Sequence, residues 1–330
     1  MKTTVLSSPA SQKSRLRPQM RRTKTRVLAM PRLNPDSPEA VRRVQQARSM
    51  LVSCSVCPRE CGAARLEGEA GLCRAAADLI VASANLHFGE EPPISGTRGS
   101  GTIFLSGCSM RCMYCQNYPI SQQAAGRTVS VDDLCAMMCD LQRRGAHNIN
   151  FVTPTHFTPQ LIEAILRARQ DRMALPIVWN TSGYERVETL RLLAGVVDIY
   201  LADMRYGEES AGRRFSRVKD YPAVNCAAIA EMHRQVGDLC LDREGIAQQG
   251  LLVRHLVLPE GNSASAAVFN YLAGEISRRT TVSLMSQYFP AYRAAGDPVL
   301  GRRLSRAEYD AAVEAFERSG LANGYRQDLA

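Results

Sequence analysis

The sequence predicts an α/β fold, a partial (β/α)6 TIM-like barrel with a small N-terminal cysteine-rich metal module. Three observations lead there. From about Thr102 onward, short apolar runs alternate with longer amphipathic ones. Turn-forming or polar residues follow each apolar run, and seven of the eleven cysteines fall into two tight groups. At 330 residues with 45% apolar side chains, the chain has room for one large α/β domain or two smaller ones.

The first 50 residues form a basic tail. They hold 12 Lys/Arg against Asp36 and Glu39 alone, so this segment carries +10 of a net +9 and the remaining 280 residues sum to −1. The basic balance therefore belongs to the tail, and a near-neutral body indicates no nucleic-acid partner. Rich in Ser and Arg, the tail buries too little apolar surface to offset the cost of ordering, and disorder is expected over most of residues 1–50. Its composition is also that of an organellar transit peptide, and Met30 is an alternative start. No apolar run approaches the roughly 18–20 residues of a membrane span, so no membrane partner is expected.

Residues 51–85 are expected to form the metal module. "CSVCPRECGAARLEGEAGLC" places Cys54, Cys57, Cys61 and Cys73 in a Cys-x2-Cys-x3-Cys-x11-Cys pattern, with Pro58, Gly62, Gly68 and Gly71 supplying turns. Four thiols on so short a segment read as a metal-stapled knuckle. Zinc is the first expectation and a second iron–sulfur cluster the alternative, since both accept four cysteines. With no secretory signal, clustered cysteines point to metal sites in a reducing compartment rather than to disulfides. A cytoplasmic location follows, or an organelle if the tail is a transit peptide.

The barrel is expected over residues 86–330. Buried strands are read at 102–106 (TIFLS), 148–153 (NINFVT), 176–180 (PIVWN), 197–203 (VDIYLAD), 251–258 (LLVRHLVL) and 281–286 (TVSLMS). Helical patterns lie near 130–144, 158–172, 185–194, 222–237, 263–278 and 305–319. Regular alternation implies a parallel sheet with right-handed crossovers. Six units are too few to close an eight-stranded barrel. In such sheets the working residues come from loops at the carboxyl ends of the strands.

One of those loops is "GCSMRCMYCQNYPIS", with Cys108, Cys112 and Cys115 inside eight residues and the next cysteine twenty residues away. Thiolates prefer soft metals, so the choice lies between zinc and an iron–sulfur cluster. A structural zinc wants four protein ligands. Three from one loop suit a cubane whose fourth iron stays open to a substrate or cofactor.

Cys-x3-Cys-x2-Cys after the first strand, with Tyr114 before the last Cys, resembles the radical S-adenosylmethionine superfamily. Gln-Asn-Tyr-Pro-Ile-Ser, "HFGEEPPISG", "GAHNINFVTPTH", "NTSGYE" and "RHLVLPEG" are similar to its pyruvate formate-lyase activating enzyme-like branch, over about Cys54 to Phe289. The resemblance implies a 4Fe–4S cluster on Cys108, Cys112 and Cys115. It also implies reductive cleavage of S-adenosylmethionine to a 5′-deoxyadenosyl radical that abstracts hydrogen. In activating enzymes the hydrogen comes from a glycine Cα of a partner enzyme; another peptide, macromolecule or small metabolite is the alternative. An electron donor such as flavodoxin or ferredoxin is implied as a partner.

By the same resemblance, Tyr114, Thr153, Thr155, Asn180, Thr181, Asp203 and Arg205 would bind S-adenosylmethionine, with Arg205 offering a guanidinium to its carboxylate. "TPTH" stands where pyruvate formate-lyase activating enzyme has Gly-Gly-Glu. His156 is expected near the ligand face, His147 as a partner for a backbone group, and Trp179 in the core. "GTRGSG" at 96–101 reads as a flexible turn, and Cys135 and Cys139 as buried cysteines on one helix face. A zinc-binding scaffold without catalysis is the remaining contrast, and four sulfur ligands at both sites would mark it.

Overall fold

The computed structural model describes residues 30–329. In chain order its elements begin with α1 (Pro38–Ser49), β1 (Leu79–His87), α2 (Pro92–Ser95), β2 (Ser100–Leu105), α3 (Tyr118–Ser121) and β3 (Arg127–Val129). The central units are α4 (Val131–Arg143), β4 (Ile149–Val152), α5 (Thr158–Gln170), β5 (Ile177–Thr181), α6 (Val187–Leu192) and β6 (Ile199–Asp203). Then come α7 (Glu209–Ser216), α8 (Tyr221–Val236), β7 (Cys240–Leu241) and β8 (Ala247–Leu256). The chain closes with α9 (Ser265–Tyr271), β9 (Thr281–Met285), α10 (Arg306–Ser319) and β10 (Asn323–Arg326).

One sheet runs β10-β9-β8-β6-β5-β4-β2-β1-β3, with β7 paired to β8 at the side. All pairings from β2 through β10 along this path are parallel. The six anticipated strands are all present, and β10 adds a seventh parallel strand beyond β9. The path has two free ends, β10 and β3, so the barrel is open. β1 and β3 extend the other edge antiparallel. Because Leu79–His87 pairs with β2, the barrel sheet begins before residue 86 and the cysteine-rich segment ends near residue 78.

Helix starts follow local chemistry. Ser130 and Asp133 form a reciprocal capping box at α4, and Ser305 and Glu308 do so at α10. Ser37 caps α1 by accepting from the Ala40 N–H, with Pro38 in the first turn. This helix gives residues 38–49 regular structure within the segment 1–50, over most of which disorder is expected. Ala40 and Ala47 are buried in the main core, the Leu33 N–H donates to the Gly195 carbonyl at 2.9 Å, and Arg32 pairs with Asp198 at 2.7 Å. A small apolar stripe and two anchors sufficed to order it. The rest of the tail, residues 1–29, and with it the transit-peptide reading, lies outside the described residues.

The floor of the open barrel is made by the β1–β2 connection. Ile94, fully buried, packs among the inward-facing Val178, Ile199, Leu201 and Leu252. Burying such a side chain is worth about 1.5–3 kcal/mol, which pins the connection inside the sheet. Glu90 and Glu91 are thereby carried into the lumen. Within the GTRGSG stretch behind them, residues 96–98 form a turn and residues 100–101 begin β2. A Cβ at Gly96 would lie 2.6 Å from the His147 ring, so tight packing takes the place of flexibility there. His147 accepts the Arg98 N–H at 3.2 Å and thus satisfies a backbone group. Among the described residues no helix is long and apolar enough to cross a membrane.

Candidate cofactor site at the carboxyl ends of the strands

A cavity of about 380 Å³ opens at the carboxyl ends of the parallel strands. Cys108, Cys112 and Cys115 line it on one side. Gly107 starts their loop with φ +87°, and a Cβ there would meet the Cys73 carbonyl at 2.4 Å, so glycine is required. His156 lies behind the loop and not in the cavity. Its Nε2–H donates to the Ser106 carbonyl at 2.8 Å, and burial lowers its pKa to about 4, so it stays neutral. Sequence placed His156 near the ligand; the short 3-10 turn at Thr155–Phe157 rotates it into the core.

The sulfurs of the triad receive donors. Ser216 donates to Cys112 at 2.9 Å, the Met110 N–H to Cys108 at 3.4 Å, and Arg205 Nη1 to Cys112 at 3.1 Å, while Ser121 Oγ lies 3.1 Å from Cys115. Burial pushes the Cys108 thiol up to about 12. The low-dielectric site thus disfavours the thiolate by itself, and iron binding must supply counter-charge and release protons.

Of the seven residues anticipated as cofactor ligands, five line the cavity: Thr153, Asn180, Thr181, Asp203 and Arg205. Thr153 adopts φ +61°, an outlier for a β-branched residue, and its N–H donates to the Asn180 carbonyl at 2.9 Å. Asp203 accepts from Arg205 at 2.6 Å and from Arg254 at 2.9 Å. Burial works to raise its carboxyl pKa, but the two guanidinium charges outweigh that and hold it below the ordinary value. The Tyr221 hydroxyl and Asn225 amide both donate to the Asp203 carbonyl, fixing the end of β6.

Two expectations are corrected. Thr155 is turned away from the cavity, and its hydroxyl donates to Glu185 at 2.8 Å. Tyr114 is 4% exposed and points behind the cysteine loop, where its hydroxyl meets that of Tyr206 at 2.7 Å. Tyr206 in turn contacts Ser216 at 2.7 Å, completing a hydroxyl chain that ends on the Cys112 sulfur. Side-chain direction decided both cases, and motif position does not encode it.

Sequence reasoning missed Glu185, Glu90 and Arg254. Glu185 is buried and accepts from Thr155, Trp179 and Thr181 through one oxygen, which ties the ends of β4 and β5 together. Trp179 is core, as expected, with its indole N–H satisfied there. Arg254 bridges Asp203, Glu90 and Asn180 across the floor. The strings HFGEEPPISG, NTSGYE and RHLVLPEG contained these residues, and a charged residue within an otherwise apolar strand was the signal available for Arg254.

Hydrogen bonds to cluster sulfurs raise reduction potentials by favouring the more negative, reduced state. Ser216→Ala is therefore expected to move the triad's cluster potential downward by tens of millivolts, a tenfold harder reduction being about 59 mV. A redox titration followed by electron spin resonance reads this directly. An unchanged potential would leave Ser216 a packing residue only.

Three thiols facing a polar cavity beside parallel strand ends define an α/β barrel with a cluster-binding mouth. A profile of the radical SAM superfamily matches residues 102–236. Over 286 residues the chain is 30% identical to uncharacterized protein MJ0674 of Methanocaldococcus jannaschii, covering 84% of this chain and 78% of that protein. The chain belongs to the radical SAM superfamily. Membership implies an enzyme, a 4Fe–4S cluster and S-adenosylmethionine.

The residues fit that cluster. Each thiolate of a cubane holds its own iron, so the sulfurs need not meet at one point. Among the described residues no three His, Cys, Asp or Glu side chains are close enough to hold a single metal ion. Neither the zinc expectation at Cys54, Cys57, Cys61 and Cys73 nor the second-cluster alternative is shown by this geometry.

Proposed function

We propose that this enzyme generates a 5′-deoxyadenosyl radical to abstract hydrogen from a glycine Cα of a partner protein, as activating enzymes of the pyruvate formate-lyase type do. Cys108, Cys112 and Cys115 would hold the cluster. When bound, the cluster supplies the single electron that breaks the sulfonium bond. The chain's own residues orient and enclose. Arg205, already pre-aligned by Asp203, offers a planar fork to the methionine carboxylate. Asn180 and the Thr153 turn line the cavity at the ends of β5 and β4 and would face the cofactor, and the Glu90–Arg254 pair lines its floor.

The observation that carries the glycine reading is the size of the cavity. At about 380 Å³ it sits near the small end of the roughly 300–1,000 Å³ range of ligand sites, and the cofactor takes most of it. A substrate can then present only a small group at the mouth, and glycine is the narrowest part of a peptide. The charged floor of Glu90, Glu91 and Arg254 favours the second reading, a small polar metabolite.

Anaerobic co-incubation of the reconstituted enzyme, a reductant and S-adenosylmethionine with candidate glycyl-radical enzymes separates the two. A glycyl signal in electron spin resonance, absent when the partner's glycine is replaced by alanine, supports activation. Cofactor cleavage with no glycyl signal from any candidate favours the metabolite.

A further inference from the structure

We propose that Cys54, Cys57, Cys61 and Cys73 hold a second iron–sulfur cluster, through which an electron reaches the site at Cys108, Cys112 and Cys115. The role as a relay rests on the reductive reading above; the binding of the cluster does not.

The segment from Met50 to Asp78 has no regular element beyond the three-residue 3-10 turn Arg65–Glu67. Its own apolar cluster is small: Leu51, Val56 and Ala63 alongside Cys54. So small a core rarely holds a segment of this length in one conformation, and natural proteins of this size add a metal or disulfides. All four cysteines are free thiols, three of them buried. The staple is therefore neither a core nor a disulfide.

One of the sulfurs has a cationic neighbour. Cys54 Sγ lies 3.8 Å from the guanidinium of Arg65, which is completely buried. An arginine without solvent contact calls for compensating negative charge, and its other donors reach only the neutral carbonyls of Ala76 and His156. Gly71 runs beneath the group. A Cβ there would lie 3.1 Å from the Cys61 sulfur and 3.6 Å from that of Cys73, so the backbone passes close to both sulfurs.

Position selects an iron–sulfur cluster over zinc. The Cys73 carbonyl accepts the Cys108 N–H at 3.2 Å, so a ligand of one site is hydrogen-bonded to a ligand of the other. Arg59, between Cys57 and Cys61, also donates to the carbonyls of Ser109 and Ser216, which flank Cys108 and carry the hydroxyl on Cys112. A redox group at that spot shares a wall with the triad's cluster, whereas a zinc ion would carry no electron. In the relay, a reduced one-electron donor of the ferredoxin or flavodoxin class is oxidised as the outer cluster is reduced. The outer cluster then passes that electron inward.

The decisive sample is the full chain with Cys108, Cys112 and Cys115 all changed to Ala, reconstituted with iron and sulfide without oxygen. It is expected to retain iron and acid-labile sulfide in equal amounts, about two to four of each per chain, the range for clusters on four cysteines. It should also give a reduced-cluster spin resonance signal. One zinc per chain after expression in zinc-replete medium with no iron taken up, or no metal at all in a folded chain, overturns the proposal. The converse variant, Cys57→Ser, keeps the triad and controls for folding. Cluster uptake by that variant alone would leave the superfamily assignment standing while removing the second cluster. In the wild type, reduction of both sites should broaden the signal through spin–spin coupling, and two non-interacting signals would remove the relay.

Discussion

Cys112→Ala is expected to reduce 5′-deoxyadenosine formation to background, while the wild type turns over S-adenosylmethionine under the same anaerobic, reducing conditions. Cys112 is the central thiol of the triad, 3% exposed, with both Ser216 and Arg205 donating to its sulfur. Removing it leaves two cysteines on the cavity wall, too few to hold three irons. The fall should therefore be essentially complete. Measuring iron in the same samples separates loss of the cluster from loss of the fold. Equal product from both proteins would refute the assignment of the triad.

Arg254→Met should cost about 3–5 kcal/mol of folding stability, the usual consequence of removing one partner from a buried ionic group. Arg254 faces Asp203 at 2.9 Å and Glu90 at 3.4 Å, and neither carboxylate is more than 14% exposed. Methionine fills the volume of the stem but leaves Glu90 without its arginine and Asp203 with Arg205 alone. The pH dependence fixes the cause. Asp203 has a folded pKa held below its ordinary value, so its contribution is present above the unfolded pKa of about 3.9 and is lost as pH falls through the folded value. In Arg254→Met the two carboxyls take up protons at higher pH than in the wild type, which relieves their burial. Urea unfolding should therefore show a stability gap that is widest near neutrality and narrows toward pH 4. A gap independent of pH would point to lost packing instead.

Much of the fold was legible because it rests on local pattern. Buried parallel strands read as short apolar runs, and all six were found within a few residues of their ends; β8 starts four residues early because β7 pairs with its extension. The helices at α4, α5, α8 and α10 carried amphipathic spacing with turn residues after them. α7 was missed because it is short and mostly polar. β1 was missed because it had been read as the end of the cysteine module, and β10 because Asn323–Arg326 carries a single apolar side chain. α1 was hidden by composition, since a basic segment can still order when two alanines find a core.

The cysteine triad was the clearest part of the site, since ligands on one loop keep their spacing in sequence. Thr155 and Tyr114 show the limit of that approach. Both occupy motif positions, yet one hydroxyl serves Glu185 and the other ends a chain leading to the back of Cys112. Glu90 and Arg254, 164 residues apart, meet only because the β1–β2 connection passes through the lumen.

By itself, then, the sequence determined the alternation of strands and helices, the parallel sheet, and a loop of three closely spaced cysteines at the first strand end. Periodicity and ligand spacing are short-range properties, and a chain carries them before it folds. Tertiary structure alone decided which polar side chains face the cavity, how the buried charges pair, and that the two cysteine groups adjoin. Those outcomes depend on contacts between residues far apart in the chain, where a rotation of one turn or the depth of one connection chooses the partner.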